Sequence, residues 1–95
     1  MSKTLAEIRA DLLRDPHVRA EYEALEPQFR IAQQIIDARR RAGLTQAQLA
    51  ELIDTSQSSV ARLEAGRQLP STRTLLRIAH ATKSEAVFEL RPATA

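Results

Sequence analysis

The sequence predicts an all-α fold, and three features of the chain support this prediction. Apolar residues recur every three or four positions along most of the chain, which is the spacing of an amphipathic helix. Prolines, glycines and small hydroxyl residues stand where these apolar segments begin and end. Two short segments of this kind follow each other closely in the stretch TQAQLAELIDTSQSSVARLEAG, residues 45–66. We therefore expect helices joined by short turns, with one short strand at the C-terminal end.

Residues 1–26 predict a helical arm that precedes the main domain. A proline at position 16 divides the arm, because the residue before a proline avoids helical backbone geometry. The apolar stripes of its two helices, 3–14 and 16–25, contain Leu5, Ile8 and Leu12 in the first and Val18, Tyr22 and Leu25 in the second. A helix of about 12 residues is marginal in water, so we expect the first to be mobile or loosely docked when the protein is alone.

Residues 27–85 predict the main domain, which begins after a second break at Pro27. Its first helix ends near Gly43, and its last covers residues 71–81. The two helices between them, 46–53 and 57–65, follow Thr45 and Ser56, whose hydroxyls can accept hydrogen bonds from unpaired N–H groups in the first turn. The side chains that we expect in the core are Ile31, Ile35, Ala38, Leu49, Ala50, Ile53, Val60, Leu63, Leu75 and Ile78.

Residues 86–95 predict a C-terminal strand and tail. The segment AVFEL, residues 86–90, changes from helical spacing to alternation, and Pro92 ends it. No other strand is predicted, and a lone strand leaves its backbone groups unpaired. We therefore expect the segment to pair with its copy across the two-fold axis of a homodimer.

The charge distribution and the lack of cysteine limit the kinds of function that the chain can have. The first 26 residues hold four basic and six acidic side chains, whereas the rest holds ten basic and six acidic ones. A basic body favours nucleic acid and an acidic arm favours a basic protein, although ordinary solvated surface explains these charges equally well. The chain has no cysteine, which excludes disulfides and thiolate metal sites and fits a cytoplasmic protein.

Catalytic and metal-binding patterns are missing from the sequence. The two histidines, His17 and His80, stand far apart, and no nucleophile motif or glycine-rich phosphate loop accompanies them. We predict that the protein is not an enzyme and holds no metal or cofactor.

The second helix of the close pair has the side chains of a DNA-reading helix. Its outward face carries Gln57, Ser58, Ala61 and Arg62. The small residues allow close approach, while glutamine and arginine can make paired hydrogen bonds to base edges. This layout is typical of a helix that enters the major groove.

Residues 39–81 resemble the Cro/C1 (xenobiotic response element) family of helix-turn-helix repressors. The shared motifs are G-L-T-Q-x-x-L-A, S-Q-S-x-V-x-R-L-E-x-G, P-S and L-x-x-I-A. The resemblance implies a five-helix lambda-repressor-like domain that binds operator DNA as a homodimer. It also implies an ion pair between Arg39 and Glu64, and the DNA contacts that it implies are those of Gln46, Gln57, Ser58, Ser59, Arg62 and Arg67. One departure is Asp54, where the family usually has glycine, but aspartate tolerates left-handed geometry better than most residues.

The whole chain resembles antitoxins of the HigA type more narrowly, through the stretch DPHVRAEYEALEPQFRIAQQIIDARRRAG. This resemblance implies a nucleoid-associated protein of the cytoplasm that neutralises a small basic RelE/HigB-like toxin, which cleaves messenger RNA, and represses its own operon. The expected toxin-binding side chains are Leu5, Ile8, Leu12, Val18 and Tyr22, whereas Leu25 and Phe29 are expected to pack internally. One alternative is a stand-alone phage-type repressor. Another is a protein-interaction module that does not bind DNA.

Overall fold

The described part of the chain, residues 4–93, contains five α-helices in the computed structural model. They are α1 (Leu5–Leu12), α2 (Pro16–Arg41), α3 (Gln46–Leu52), α4 (Gln57–Glu64) and α5 (Thr72–Ala81). The predicted all-α class is confirmed. Residues 1–3 and 94–95, which belong to the predicted arm and tail, lie outside the described residues.

Short polar side chains set the first turn of every one of these helices. In each case the capping side chain accepts a hydrogen bond from a backbone N–H of that turn, and the capping residues are Thr4, Asp15, Thr45, Ser56 and Ser71. At Thr45 the cap is reciprocal, because the Gln48 side chain also accepts from the Thr45 N–H. The caps predicted at Thr45 and Ser56 are confirmed, so the two helices of the close pair begin where expected.

Left-handed backbone conformations shape the turns on both sides of α4. Asp54, in the turn that precedes it, has a φ of 58°. Gly66, just after α4, has a φ of +72°, and a Cβ atom there would lie 2.6 Å from Cδ1 of Phe29. Position 66 therefore requires glycine both for its backbone conformation and for the close packing of the Phe29 ring.

The hydrophobic core lies where α2, α3, α4 and α5 meet. Leu49 and Val60 are completely buried at its centre. Its other buried members are Ile35, Ala50, Ile53, Leu63 and Ile78, with Ile31, Leu44, Leu75 and Ala81 packed against them. The expected core positions therefore face inward, and α1 contributes no buried residue.

Helix α2 runs without interruption through Pro27, so the helix break predicted at this residue is wrong. A proline inside a helix removes one backbone hydrogen bond and crowds the preceding turn, at a cost of about 3 kcal/mol. Contacts that span the proline favour the continuous helix. The rings of Tyr22 and Phe29 lie 6.2 Å apart, and Arg30 pairs with Glu26 at 3.2 Å. The predicted boundary between residues 26 and 27 lies inside this helix.

The C-terminal strand predicted for residues 86–90 is also wrong. Residues 84–93 follow α5 in a segment without regular secondary structure. A strand needs a partner for its backbone groups, and no described part of this chain supplies one. Ala86, Val87 and Phe88 line a groove between α2 and α5, but Val87, Phe88 and Leu90 still expose much of their apolar side chains.

Candidate nucleic-acid interface

Helix α4 presents one polar face to solvent because its opposite face is part of the core. Val60 and Leu63 point inward and are buried. The residues of the outward face, Gln57, Ser58 and Arg62, are exposed, and the small Ala61 lies half-buried beside them. The predicted base-contacting side chains therefore share one accessible surface of a well-anchored helix.

A hydroxyl network orders the beginning of that surface. The Ser56 Oγ that caps α4 also lies 3.1 Å from Ser58 Oγ and 3.0 Å from Ser59 Oγ. Arg62 Nη2 donates to Ser59 Oγ at 3.2 Å. This bond directs the Arg62 guanidinium toward the N-terminal end of α4, where it lies near the serines while Arg62 remains exposed. The structure thus brings together Ser58, Ser59 and Arg62.

Arg39 and Glu64 form the predicted ion pair between α2 and α4. Arg39 Nε donates to Glu64 Oε2 at 2.7 Å and Nη2 donates to Oε1 at 2.9 Å, which is the two-pronged geometry of a strong pair. The side chains of Arg39 and Glu64 are only 14% and 5% exposed. Hydrogen bonding to Glu64 raises the pKa of Arg39 above its ordinary value. Arg39 Nη1 also donates to the Leu44 carbonyl at 3.0 Å, so the pair secures the loop before α3.

Gln46, the first residue of α3, has a role that the sequence did not indicate. Its Nε2 atom donates to Glu64 Oε1 at 3.2 Å, so this expected phosphate contact is joined to the buried ion pair. Similarly, Gln28 Nε2 donates to the Gly66 carbonyl at 3.4 Å and ties α2 to the end of α4. Both contacts join residues far apart in sequence, and no local pattern indicates them.

Several arginines surround α4 and the helix that follows it. Arg67 is exposed just after α4, and its backbone N–H donates to the Arg62 carbonyl at 3.2 Å. Arg73 and Arg77 lie exposed one turn apart on α5, and sequence reasoning did not select them. The sequence signal for them is their spacing of four residues, which places both arginines on the same face of a helix.

The arm carries exposed apolar side chains. Leu5, Ile8 and Leu12 are 87%, 42% and 53% exposed, while Val18 and Tyr22 are half-buried. The Arg9 guanidinium lies 4.7 Å from the centre of the Tyr22 ring, which links α1 to the first turns of α2. The expected internal packing of Leu25 is wrong, because Leu25 is exposed; Phe29 contacts Gly66 but keeps part of its ring exposed.

Neither a metal site nor a membrane-spanning helix is found in residues 4–93. No group of three or more histidine, cysteine or acidic side chains in this range is placed to hold a metal ion. Within the same residues no helix is long and apolar enough to cross a membrane.

Comparison with protein-family models yields a match. A family model described as helix-turn-helix matches residues 35–87, which is more than half of the chain. The match begins in α2 and includes α3, α4 and α5. No curated protein and no solved structure matches the chain significantly. The matched family consists of DNA-binding regulatory domains and is not an enzyme family.

Proposed function

The chain belongs to the Cro/C1-type helix-turn-helix family of DNA-binding transcription regulators, and on that premise we propose that it represses transcription by binding a palindromic operator as a homodimer. The observation that carries the proposal is the exposed polar face of α4, anchored from behind by Val60 and Leu63. Such a helix fits the major groove, whose base edges present distinct donor and acceptor patterns.

Each predicted contact residue has a distinct role in this proposal. Gln57, Ser58 and Arg62 meet base edges, with Ser58 and Ala61 small enough to let the helix backbone approach closely. The phosphate contacts come from Gln46, Ser59 and Arg67. These contacts hold the protein in register on the duplex but carry no sequence information.

We expect Arg62→Ala to weaken binding to the preferred operator by about 1–3 kcal/mol and to relax preference at one base pair. The reason is the loss of a two-pronged contact to a base edge. The matched control is Arg67→Ala, which should weaken binding to all sequences alike and reduce the salt dependence by about one unit of slope. Selection from randomised duplexes, followed by anisotropy titrations at several salt concentrations, measures both effects. Unchanged affinity and preference in Arg62→Ala would refute this role for α4.

The homodimer is proposed to form through the exposed apolar side chains of the C-terminal segment. Val87, Phe88 and Leu90 lie close together in sequence and are all exposed, which is costly for a monomer in water. We expect the triple variant Val87→Ser, Phe88→Ser, Leu90→Ser to sediment as a monomer while keeping its helical content. Leu52→Ser with Leu76→Ser, which also replaces exposed apolar residues, should remain dimeric. A triple variant that sediments as a dimer would place the interface on the helices.

We further propose that the chain is the antitoxin of a toxin–antitoxin pair, whose partner is a small basic RelE/HigB-like toxin that cleaves messenger RNA. The arm favours this reading over a stand-alone phage-type repressor, because α1 buries none of its side chains in the chain's own core. Residues 1–26 are also net acidic, which suits a basic partner. Both proposed partners, operator DNA and the toxin, would be met in the cytoplasm.

A further inference from the structure

Glu64 is a shared hydrogen-bond acceptor at the C-terminal end of α4. Its Oε1 atom accepts from Arg39 Nη2 at 2.9 Å and from Gln46 Nε2 at 3.2 Å. Its side chain is 5% exposed, so water has little access to replace these donors. One buried carboxylate therefore connects α2, the DNA-reading helix α4 and the first residue of α3.

The charge of Glu64 determines which way the Gln46 amide points. An ionised carboxylate only accepts hydrogen bonds, so the amide nitrogen of Gln46, not its oxygen, must face it. That nitrogen has two hydrogens, and the bond to Glu64 uses one of them. The second hydrogen remains available to an acceptor such as a phosphate oxygen. Without the carboxylate the amide can turn over and present its oxygen, which cannot donate to a phosphate.

We propose that Glu64 is a positioning residue for DNA binding, because it holds the Gln46 amide with an N–H directed toward the DNA backbone. The inference rests on the proposed function, since it takes Gln46 as a phosphate contact. It adds that the buried Arg39–Glu64 ion pair orients Gln46 for a phosphate contact on the surface of the domain. The phosphate contact of α3 and the base contacts of α4 then move as one unit, because both are tied to the same buried carboxylate.

A double-mutant cycle of Glu64→Gln and Gln46→Ala tests the coupling. The probes are the duplex selected from a randomised pool and a short mixed-sequence duplex at low salt. Each single variant should weaken binding by about three- to ten-fold, the effect of losing one hydrogen bond or of having to order one long side chain. The double variant should bind no more weakly than Gln46→Ala alone, and the losses should be similar on both duplexes because phosphates carry no sequence information.

Two further measurements separate positioning from a general loss of stability. Ile78→Val also destabilises the fold, but Ile78 is an apolar core residue that is not among the hydrogen-bond partners of Glu64. This variant should bind both duplexes like the wild type at a temperature where all variants are folded. The side-chain amide resonances of Gln46 in the free protein should shift in Glu64→Gln and stay in place in Ile78→Val. Additive losses in the cycle, or unmoved amide resonances in Glu64→Gln, overturn the positioning role even though the wild type binds DNA. A wild-type protein that binds neither duplex overturns the proposed function itself.

Discussion

Glu64→Ala is expected to lower the free energy of unfolding by about 3–5 kcal/mol, because it leaves the Arg39 guanidinium buried without its counter-charge. The pair is well formed, with two nitrogen-to-oxygen distances of 2.7 and 2.9 Å. The substitution also removes the acceptor of Gln46 Nε2. Small domains have a free energy of unfolding of roughly 5–15 kcal/mol, so a loss of this size would leave the fold only marginally stable.

An exposed ion pair of the same chain provides the matched control. Glu26 pairs with Arg30 at 3.2 Å on the surface of α2, where solvent screens the charges. Glu26→Ala should therefore cost less than about 0.5 kcal/mol. Urea melts measure both variants, at one protein concentration because dimerisation would add to the apparent stability. Equal losses in the two variants would mean that burial gives the Arg39–Glu64 pair no special importance.

The features that sequence predicted correctly depend on near neighbours in the chain. Helical spacing of apolar residues identified Leu49, Val60 and Leu63 as core, because the period of a helix determines which side chains share a face. The left-handed φ of Asp54 follows from the same kind of local rule, since aspartate tolerates this geometry better than most residues. The Arg39–Glu64 pair spans 25 positions, and only the family resemblance indicated it.

The features that sequence missed depend on the three-dimensional arrangement. Proline disfavours a helix interior, but this local rule does not include the contacts on both sides of Pro27 that favour one continuous α2. The alternation of residues 86–90 predicts a strand only if a second strand is present, and the described chain has none. The bond from Gln46 to Glu64 joins residues 18 positions apart, and neither residue type signals the other. The predicted DNA-contact and toxin-contact residues remain predictions until binding is measured.

The triple variant Leu5→Ser, Ile8→Ser, Leu12→Ser is expected to abolish neutralisation of the toxin while operator binding stays unchanged. All three side chains are exposed on α1, and none supports the core. Burial of each against a partner would contribute about 1.5–3 kcal/mol, so losing three of them weakens the complex by several orders of magnitude. The α4 surface lies in a separate part of the fold, and the family match does not include α1.

Neutralisation is measured by the growth of cells that express the toxin, and operator binding is measured by a gel shift. We expect the toxin gene to lie beside the gene for this chain. A chain lacking residues 1–14 should behave like the triple variant. It keeps Asp15, whose Oδ1 accepts from the His17 N–H at 2.9 Å and caps α2. The control Leu52→Ser with Leu76→Ser removes exposed leucines from α3 and α5 and should rescue growth like the wild type. Because residues 1–26 are net acidic and the expected toxin is basic, added salt should slow formation of the wild-type complex. If the chain without residues 1–14 rescues growth as well as the full chain, α1 is not the toxin-binding element. The first turns of α2 with Val18 and Tyr22, the helix-turn-helix body or the C-terminal segment must then bind the toxin.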